Sequence, residues 1–483
     1  MADEALSRNV SDSPHMTILS PKRWLPAHGV TLNHVDEGII LSEDRSTDWH
    51  LMVCHDPLVA HARVTLRILF RPLQPLRTNL YINQFGAVDV AIVGGGPVGL
   101  VAALSLATRG VSVVLIESAS ENAKEQRGAA FHPPTLEMLD TLGITDTILP
   151  RGVRVPVWQV RDHAGVVAEF DLGILKDVTR YPFRFHMPQH VLSDVLVDRL
   201  RGTSVRMLHG YPVTRIAAGK EQVELGFTGS DGVEQALMAR WVIGADGAHS
   251  FVRKQSGIDF PGFSWPERFL VTNVTEPLEH RGYSGASYVT DPDRWAVVLK
   301  LSDPRHKNLW RVAMPASEDL SDAALLDPAA VEQRLQEVLP QDGSYEVVYS
   351  SSYRVHQRVA ARFRAGRVLL AGDAAHINNP LGGFGLNGGV HDAINLAEKL
   401  LHALQGGRED VLDVYDRQRR YVAVEHVQAQ SIRNKRQMEE RDPAQRIEND
   451  RVMRQTAADP VRARSYLMET SMLNSVRRAA EID

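Results

Sequence analysis

The chain has 483 residues, a formal net charge of −5 and an apolar share of 43%. These values fit an ordinary globular protein of up to about three domains and exclude a nucleic-acid surface built on net positive charge. A single cysteine, Cys54, excludes an internal disulfide framework, a CxxC redox pair and a Cys-rich zinc site. No apolar run approaches the roughly 18 residues of a membrane span, and Met1 to His15 lack the apolar core of a signal peptide. A cytoplasmic protein is the expectation.

In chain order, residues 1–22 are polar and expected to be disordered. Ala62 to Arg71 then alternates, with Val64, Leu66, Ile68 and Phe70 on one face, the pattern of a half-buried strand. Gly38–Leu41, Trp49–Val53 and Asn79–Ile82 read as further short strands. Residues 1–87 are therefore expected to hold a small β extension of about 60 residues, near the lower limit for independent stability. No function attaches to it.

The chemistry begins at Val88. An apolar run to Val93 reads as a buried parallel strand, and Gly94, Gly96 and Gly99 follow as G-x-G-x-x-G, with Pro97 and Val98 between them. A helix is predicted over 97–109 with Gly110 at its C-cap, then a second strand, Val111 to Ile116, ending in Glu117. Strand, glycine turn, helix, strand and terminal acid within about 30 residues form the dinucleotide-binding fingerprint. Gly94 permits the tight turn, Gly96 lets a pyrophosphate approach the backbone, and Gly99 lets helix and strand pack closely. The helix N-terminus offers N–H groups and partial positive charge to phosphates, and Glu117 can accept from ribose hydroxyls. A glycine turn that binds nothing would account for the glycines alone, but not for the whole unit.

Arg127-Gly128 comes next, and Pro133-Pro134-Thr135 opens a predicted helix. Residues 157–170 alternate as a hairpin around Asp162-His163-Ala164-Gly165, and a helix is predicted over Val191–Leu200 after Gln189. Val205–Leu208, Val213–Ile216 and Gln222–Phe227 read as a meander. Trp241 to Gly244 is a second buried strand, delivering Ala245-Asp246-Gly247. Residues 265–355 are rich in strands, interrupted by a helix at 328–339. A third apolar strand, Val368 to Ala371, delivers Gly372-Asp373, followed by Pro380, Gly382, Gly383, Gly385, Leu386 and Asn387. An acid at the C-terminal end of such a strand lies where open α/β sheets bind ligands. Asn387 is the predicted N-cap of a helix over 389–404. The last hundred residues read as helical, with Asp442-Pro443 and Asp459-Pro460 as cap-plus-N1 pairs opening the final two helices.

These residues resemble the class A FAD-dependent aromatic hydroxylases, flavoprotein monooxygenases of the para-hydroxybenzoate hydroxylase type. Gly94, Gly96, Gly99 and Glu117 match the ADP-binding fingerprint, Ala245-Asp246-Gly247 the Asp-Gly motif, and Gly372-Asp373 with the following loop the Gly-Asp motif. Arg127 and Gln189 fall where that family places an arginine and a glutamine on the cofactor. The resemblance spans about residues 88–435 and stops upstream. It implies a Rossmann-like α/β FAD domain over 88–407 with an interleaved mixed β-sheet substrate domain, mainly 157–227 and 265–355. A helical region, 408–483, would follow, with no thioredoxin-like domain. It also implies flavin reduction by a transiently visiting NAD(P)H, O₂ addition to give a flavin hydroperoxide, and hydroxylation of a small phenol or aromatic acid. Asp373 would bind the ribityl chain, and the Gly383–Asn387 backbone (Gly383, Gly385, Leu386, Asn387) would stabilise charge on the reduced ring. The glycines at 382, 383 and 385 would also suit a loop that lets the flavin take more than one position.

Catalytic candidates are Tyr288, at a position where the family has a substrate-facing tyrosine, and Pro380. An ordinary strand tyrosine is the commoner reading of Tyr288. Lys300 and Arg311 could bind an acidic substrate, although solvated strand charges are commoner. His186 reads as a core histidine, and Pro188 argues against a metal site with His190. Alternatives on the same fold are a halogenase, a reductase or a non-catalytic FAD-binding protein. The halogenase W-x-W-x-I-P segment is absent, Phe263-Ser264-Trp265-Pro266 being the nearest stretch. No metal, nucleic acid or membrane partner is expected, and a homodimer is compatible with the sequence.

Overall fold

The structure, a computed structural model, describes residues 87–121, 128–229 and 232–483, together with three short strands before them. Those strands, Thr17–Ile18, Ile39–Glu43 and Trp49–Val53, form an antiparallel sheet with the second in the middle. Contacts separate residues 1–80 from 81–483. The strands expected at 62–71 and 79–82, and Arg127, lie outside the described residues.

The cofactor half is built on an eight-stranded sheet. Ala87–Val93 runs parallel to Val113–Glu117 on one side and to the end of Glu234–Gly244 on the other. Arg206–His209 extends the first side and Val368–Leu370 the second, again in parallel. Parallel strands covered on both faces are read out as continuous apolar runs, and Val90, Ala91 and Ile92 are fully buried. Fully burying a valine or isoleucine contributes about 1.5–3 kcal/mol. Because these strands point one way, their C-terminal ends bring Gly94, Glu117, Ala245-Asp246 and Gly372-Asp373 to one edge. The backbone continues the ladder past the strands: Gly94 N–H donates to Ile116 O, Ala245 N–H to Val93 O and Ala371 N–H to Gly244 O, at 2.8–2.9 Å. The helices Gln189–Leu200 and Phe384–Leu404 both pack on Pro97–Ala107.

The expected meander at 205–227 divides differently. Arg206–His209 joins the parallel sheet, because the Gln189–Leu200 helix crosses over and returns the chain beside Val113–Glu117. Val213–Ala218, Val223–Thr228 and Glu234–Gly244 form the antiparallel ribbon. Strands 206–228 thus belong to this sheet and not to the second large sheet, which holds the strands at 157–171 and 262–359.

The second eight-stranded sheet runs His376–Ile377, Val347–Val359, Gly262–Thr275, Leu309–Ala316, Ala296–Lys300, Ala286–Val289, Val157–Asp162, Gly165–Asp171. It is mixed, since Ala286–Val289 pairs in parallel with Val157–Asp162 while its other pairs are antiparallel. Between the two large sheets in the chain path lies a small antiparallel one, in which Arg184–His186 pairs with Ala130–Phe131 and Val153–Val155. The C-terminus is helical. Val411 to Met438 is one continuous helix with a π-helical stretch at Val422–Gln428. Asp442 and Asp459 cap Pro443–Ala458 and Pro460–Thr470 through their side chains, and a further helix, Leu473–Ala480, follows that the sequence pattern does not separate. Among the described residues no helix is long and apolar enough to cross a membrane.

Candidate active site

At the shared strand edge each glycine of the first motif has a distinct steric role. Gly94 has φ +111°, and a Cβ there would overlap the Ala245 carbonyl; one on Gly99 would overlap the Gly94 carbonyl oxygen. At Gly96 a Cβ would meet nothing within 4 Å, so this glycine faces open space at the N-cap of the Pro97–Ala107 helix. The first-turn N–H groups there have no intrahelical acceptor. Pro97 is buried at the first helical position. Val98 packs beneath Gly372, whose Cβ would lie 2.9 Å from it. Glu117 ends its strand with Oε2 accepting from Gly95 N–H at 2.6 Å and Oε1 from Ala119 N–H at 2.8 Å, which fixes its carboxylate beside the glycine turn.

Behind the third motif is a buried ion network. Asp392 Oδ2 accepts from Gly372 N–H (3.0 Å) and contacts His376 Nε2 (2.7 Å), while Oδ1 accepts from Arg419 Nε (2.6 Å). Burial pushes the Asp392 carboxyl up, but the charges of His376 and Arg419 outweigh it and hold the group at about 2. The network fixes the turn from which Asp373 emerges, exposed, at the sheet edge. Arg253 ties the motifs together, donating to Ala374 O (2.8 Å) and Ala248 O (3.0 Å) while stacked on Phe260.

An open space over Gly96, helix N-termini and carboxylates at 117 and 373 on one parallel-sheet edge fit an adenine dinucleotide with a polyhydroxyl chain, as FAD is. When bound, FAD supplies hydride acceptance from NAD(P)H and transfer of one oxygen atom from O₂.

Next to the glycine loop lies an aromatic cavity. Trp158 stacks on Phe170 (5.1 Å) and Tyr466 (5.8 Å) and meets Tyr288 edge-on (5.5 Å). Trp158, Tyr288 and Tyr466, with Arg184, Gly382, Phe384, Met438 and Met453, line a cavity of about 40 Å³. A wider one of about 410 Å³, lined by Asp291, Arg294, Arg446 and Asp450 among others, shares Thr290 and Gln437 with it. One face of the Pro443–Ala458 helix serves both, with Arg446 and Asp450 on the wider cavity and Met453 on the aromatic one. His132, His186 and His391 are buried. Desolvation, and then the Arg184 charge, hold His132 at about 3. Desolvation, followed by Arg419, does the same for His391, and desolvation holds His186 at about 4.

The profile described as "FAD binding domain" matches residues 87–430, and the motifs above lie within it. The chain belongs to this family. Its relatives are FAD-dependent aromatic monooxygenases. It is 38% identical over 394 residues to para-nitrophenol 4-monooxygenase of Pseudomonas sp. (strain WBC-3), covering 80% of this chain and 96% of that protein. It is 35% identical to 6-hydroxy-3-succinoylpyridine 3-monooxygenase HspB of Pseudomonas putida (74% and 90% covered). The crystal structure of p-nitrophenol 4-monooxygenase PnpA from Pseudomonas putida DLL-E4 superposes with a TM-score of 0.77 at 39% identity, covering 80% of this chain and 98% of that one.

Within this monooxygenase, several expected residues meet. Gly128, Gln189 and Leu386 converge, a Cβ on Gly128 lying 3.3 Å from Gln189 Oε1 and 3.5 Å from Leu386 Cβ. Gly385 has open space, with only Asn378 Oδ1 nearby at 3.7 Å. Asn387 is not the N-cap. Gly383, at φ +70°, caps a helix that starts at Phe384, because only a left-handed residue lets the chain turn into it there. The Asn387 side chain is instead consumed as a strut, accepting from His132 N–H and Thr135 Oγ1 and donating to Ala130 O and Gly383 O. Asp246 is likewise engaged, accepting from Ser250 Oγ (2.5 Å) and Val252 N–H (3.0 Å), with burial raising its pKa.

The Leu381–Gly382 stretch of the glycine loop makes three hydrogen-bond contacts. Leu381 O accepts from Asn434, Gly382 O contacts His132 Nε2 at 2.8 Å, and Leu381 N–H donates to Asn379 Oδ1. Tyr288 lines the aromatic cavity, whereas Pro380 is exposed and offers its carbonyl to Gly383 N–H. Lys300 pairs with Glu279 and Arg311 donates to Asn273; neither lines the cavity. Trp158, Arg184, Met438, Met453 and Tyr466 do not stand out in the sequence. Arg184 sits between Phe183 and Phe185, and strand alternation puts it on the polar face with His186, so nothing in the sequence marks it as buried. Among the described residues no group of three or more His, Cys, Asp or Glu could hold a metal.

Proposed function

We propose that this chain hydroxylates a small para-substituted phenol in the Trp158–Tyr288–Tyr466 cavity, with FAD, NAD(P)H and O₂. The observation that carries the reading is the shared wall: Gly382 and Phe384, from the loop of the third cofactor motif, also line the aromatic cavity. Gly94, Gly96, Gly99, Glu117, Gln189, Asp373 and the 383–387 backbone would hold FAD, with the second large sheet providing the substrate side. The aromatic walls would orient the ring by stacking and edge contacts and keep water from the reacting carbon. The cavity's size favours one ring over a fused polycycle. Even one ring requires movement of Met438 or Met453, flexible thioether chains suited to it. The relatives acting on para-nitrophenol support the para-substituted phenol, and dependence on NAD(P)H supports a cytoplasmic setting.

The test is NAD(P)H consumption by the FAD-loaded enzyme across a panel of phenols, with product identification. A phenol that both stimulates consumption and is recovered hydroxylated is the expected result. Consumption unaffected by every phenol, with a fused polycycle hydroxylated instead, would overturn the substrate class.

A further inference from the structure

Six arginines are buried among the described residues: 161, 184, 253, 268, 311 and 419. Five donate to oxygen. Arg161 reaches Gln159 and Gly282 O, Arg253 two backbone carbonyls, Arg268 Asp322, Arg311 Asn273 and Arg419 Asp392. Arg184, 4% exposed, makes no hydrogen bond or ion pair among the described residues, and its Nε is buried without an acceptor. Its guanidinium instead faces the rings of Trp158 (4.9 Å) and Tyr288 (6.0 Å) and lines the aromatic cavity.

The titratable groups around it supply no negative charge. His132 and His186 are held neutral by burial. Burial pushes the Tyr466 hydroxyl well up from its ordinary value, so it too is uncharged, and Arg433 beyond it is a cation. A buried cation lacking an acceptor is costly unless a partner arrives, and the ring faces compensate only part of that cost.

We propose that Arg184 is the receptor for an anionic group of the substrate, so that the cavity binds an acidic phenol as its phenolate or an aromatic acid as its carboxylate. This rests on the phenol-hydroxylase reading of the same cavity. The anion would complete the planar fork of donors that no protein oxygen fills. Where the anion is a phenolate, it would also carry more electron density on the ring that receives oxygen than the neutral phenol does.

The test uses 4-nitrophenol, whose anion is coloured and whose neutral form is not, bound to the FAD-loaded enzyme without NAD(P)H. Wild type should bind it tightly above the probe's own pKa and weakly below, the bound probe showing the anion's spectrum. Arg184→Met, which keeps the volume, should weaken binding of the anion by about ten- to a hundredfold and flatten the pH dependence. Arg184→Lys should restore part of both. Should Arg184→Met lose FAD or fold poorly, the wild-type spectrum decides: a bound probe in its neutral form overturns the proposal. Equal anion affinity in folded Arg184→Met overturns it as well. If wild type hydroxylates a phenol and Arg184→Met shows that equality, only the receptor assignment falls. If the anion binds through Arg184 but no phenol is hydroxylated, the hydroxylase reading falls and the receptor stands.

Discussion

The cofactor edge and the aromatic cavity share a loop but are built in opposite ways. The edge is rigid and made of backbone: glycines at forced φ values, strand ends held in register, and a turn fixed by a buried carboxylate. The cavity is made of side chains from strands at 158, 184 and 288 and helices at 438, 453 and 466. It is closed to the size of about three waters by the volume each needs. One region is preformed for its ligand, and the other must adapt around it.

Three buried histidines should make the fold sensitive to acid. His132, His186 and His391 have folded-state values of about 3, 4 and 3, against 6.5 when unfolded. Depressed folded values mean that the unfolded chain binds more protons between those limits. Stability is therefore complete above about pH 6.5 and lost as the pH falls toward 4. Each histidine contributes about 1.4 kcal/mol per pH unit, so three give roughly 4 kcal/mol per unit. Denaturant titrations at a series of pH values should show this slope, and His391→Asn should remove about a third of it. A flat profile over that range would mean that the histidines are not buried as neutral groups.

Rigidity of the edge can be broken at Asp392. Asp392→Asn removes the charge facing Arg419, and an uncompensated buried cation costs about 3–5 kcal/mol. FAD retention should fall with it, because Gly372 loses its anchor. Below the unfolded carboxylate value of 3.8 the wild type should lose part of this contribution, as the pH approaches the folded value of about 2. Urea unfolding combined with flavin absorbance separates the two effects. Unchanged stability with lost flavin would confine Asp392 to the site.

The edge was legible in sequence because its ligands lie in contiguous motifs, where strand, turn and helix each leave a mark within a few residues of the next. Gly94, Gly96, Gly99 and Glu117 need only a strand-turn-helix-strand unit to be placed. Asn387 misled because an asparagine before a helical pattern is a common cap. Its use as a four-bond strut depends on residues 130–135, about 250 positions away. Arg206–His209 looked like part of a meander because a short apolar strand carries no mark of parallel or antiparallel pairing. The cavity was nearly silent. Trp158 and Tyr466 stand 308 positions apart in sequence and meet only through the packing of the C-terminal helices. Tyr288 could be singled out only through family resemblance.

A milder test compares two aspartates. Asp373→Ala should weaken FAD binding by roughly ten- to a hundredfold, the value of a charge-assisted hydrogen bond of about 1.5–3 kcal/mol. Asp291→Ala should leave it unchanged, since Asp291 lies on the wider cavity rather than at the strand edge, where it closes a turn and pairs with His163 and Arg294. Fluorescence titration of the apoproteins with FAD reads the difference, and equal affinities would move the ribityl site elsewhere.

The smallest expected effect bears on adaptation of the cavity. Met453 lies on the helix face that runs from the wider cavity to the aromatic one, so it stands where a ring must pass. It is 5% exposed, and its unbranched chain can change rotamer without moving the helix. Met453→Leu keeps the volume and the apolar character, so stability should change by less than about 1.5 kcal/mol. Leucine is branched and shorter and has fewer ways to step aside. Association of 4-nitrophenol, followed by stopped flow, should therefore slow by about three- to fivefold, while the limiting rate of hydroxylation stays the same, because no reacting atom is touched. An unchanged association rate would mean that the ring enters past Met438 or by a path that avoids this helix. A fall in the limiting rate instead would mean that Met453 positions the bound ring, so that the cavity, like the edge, is set before its ligand arrives.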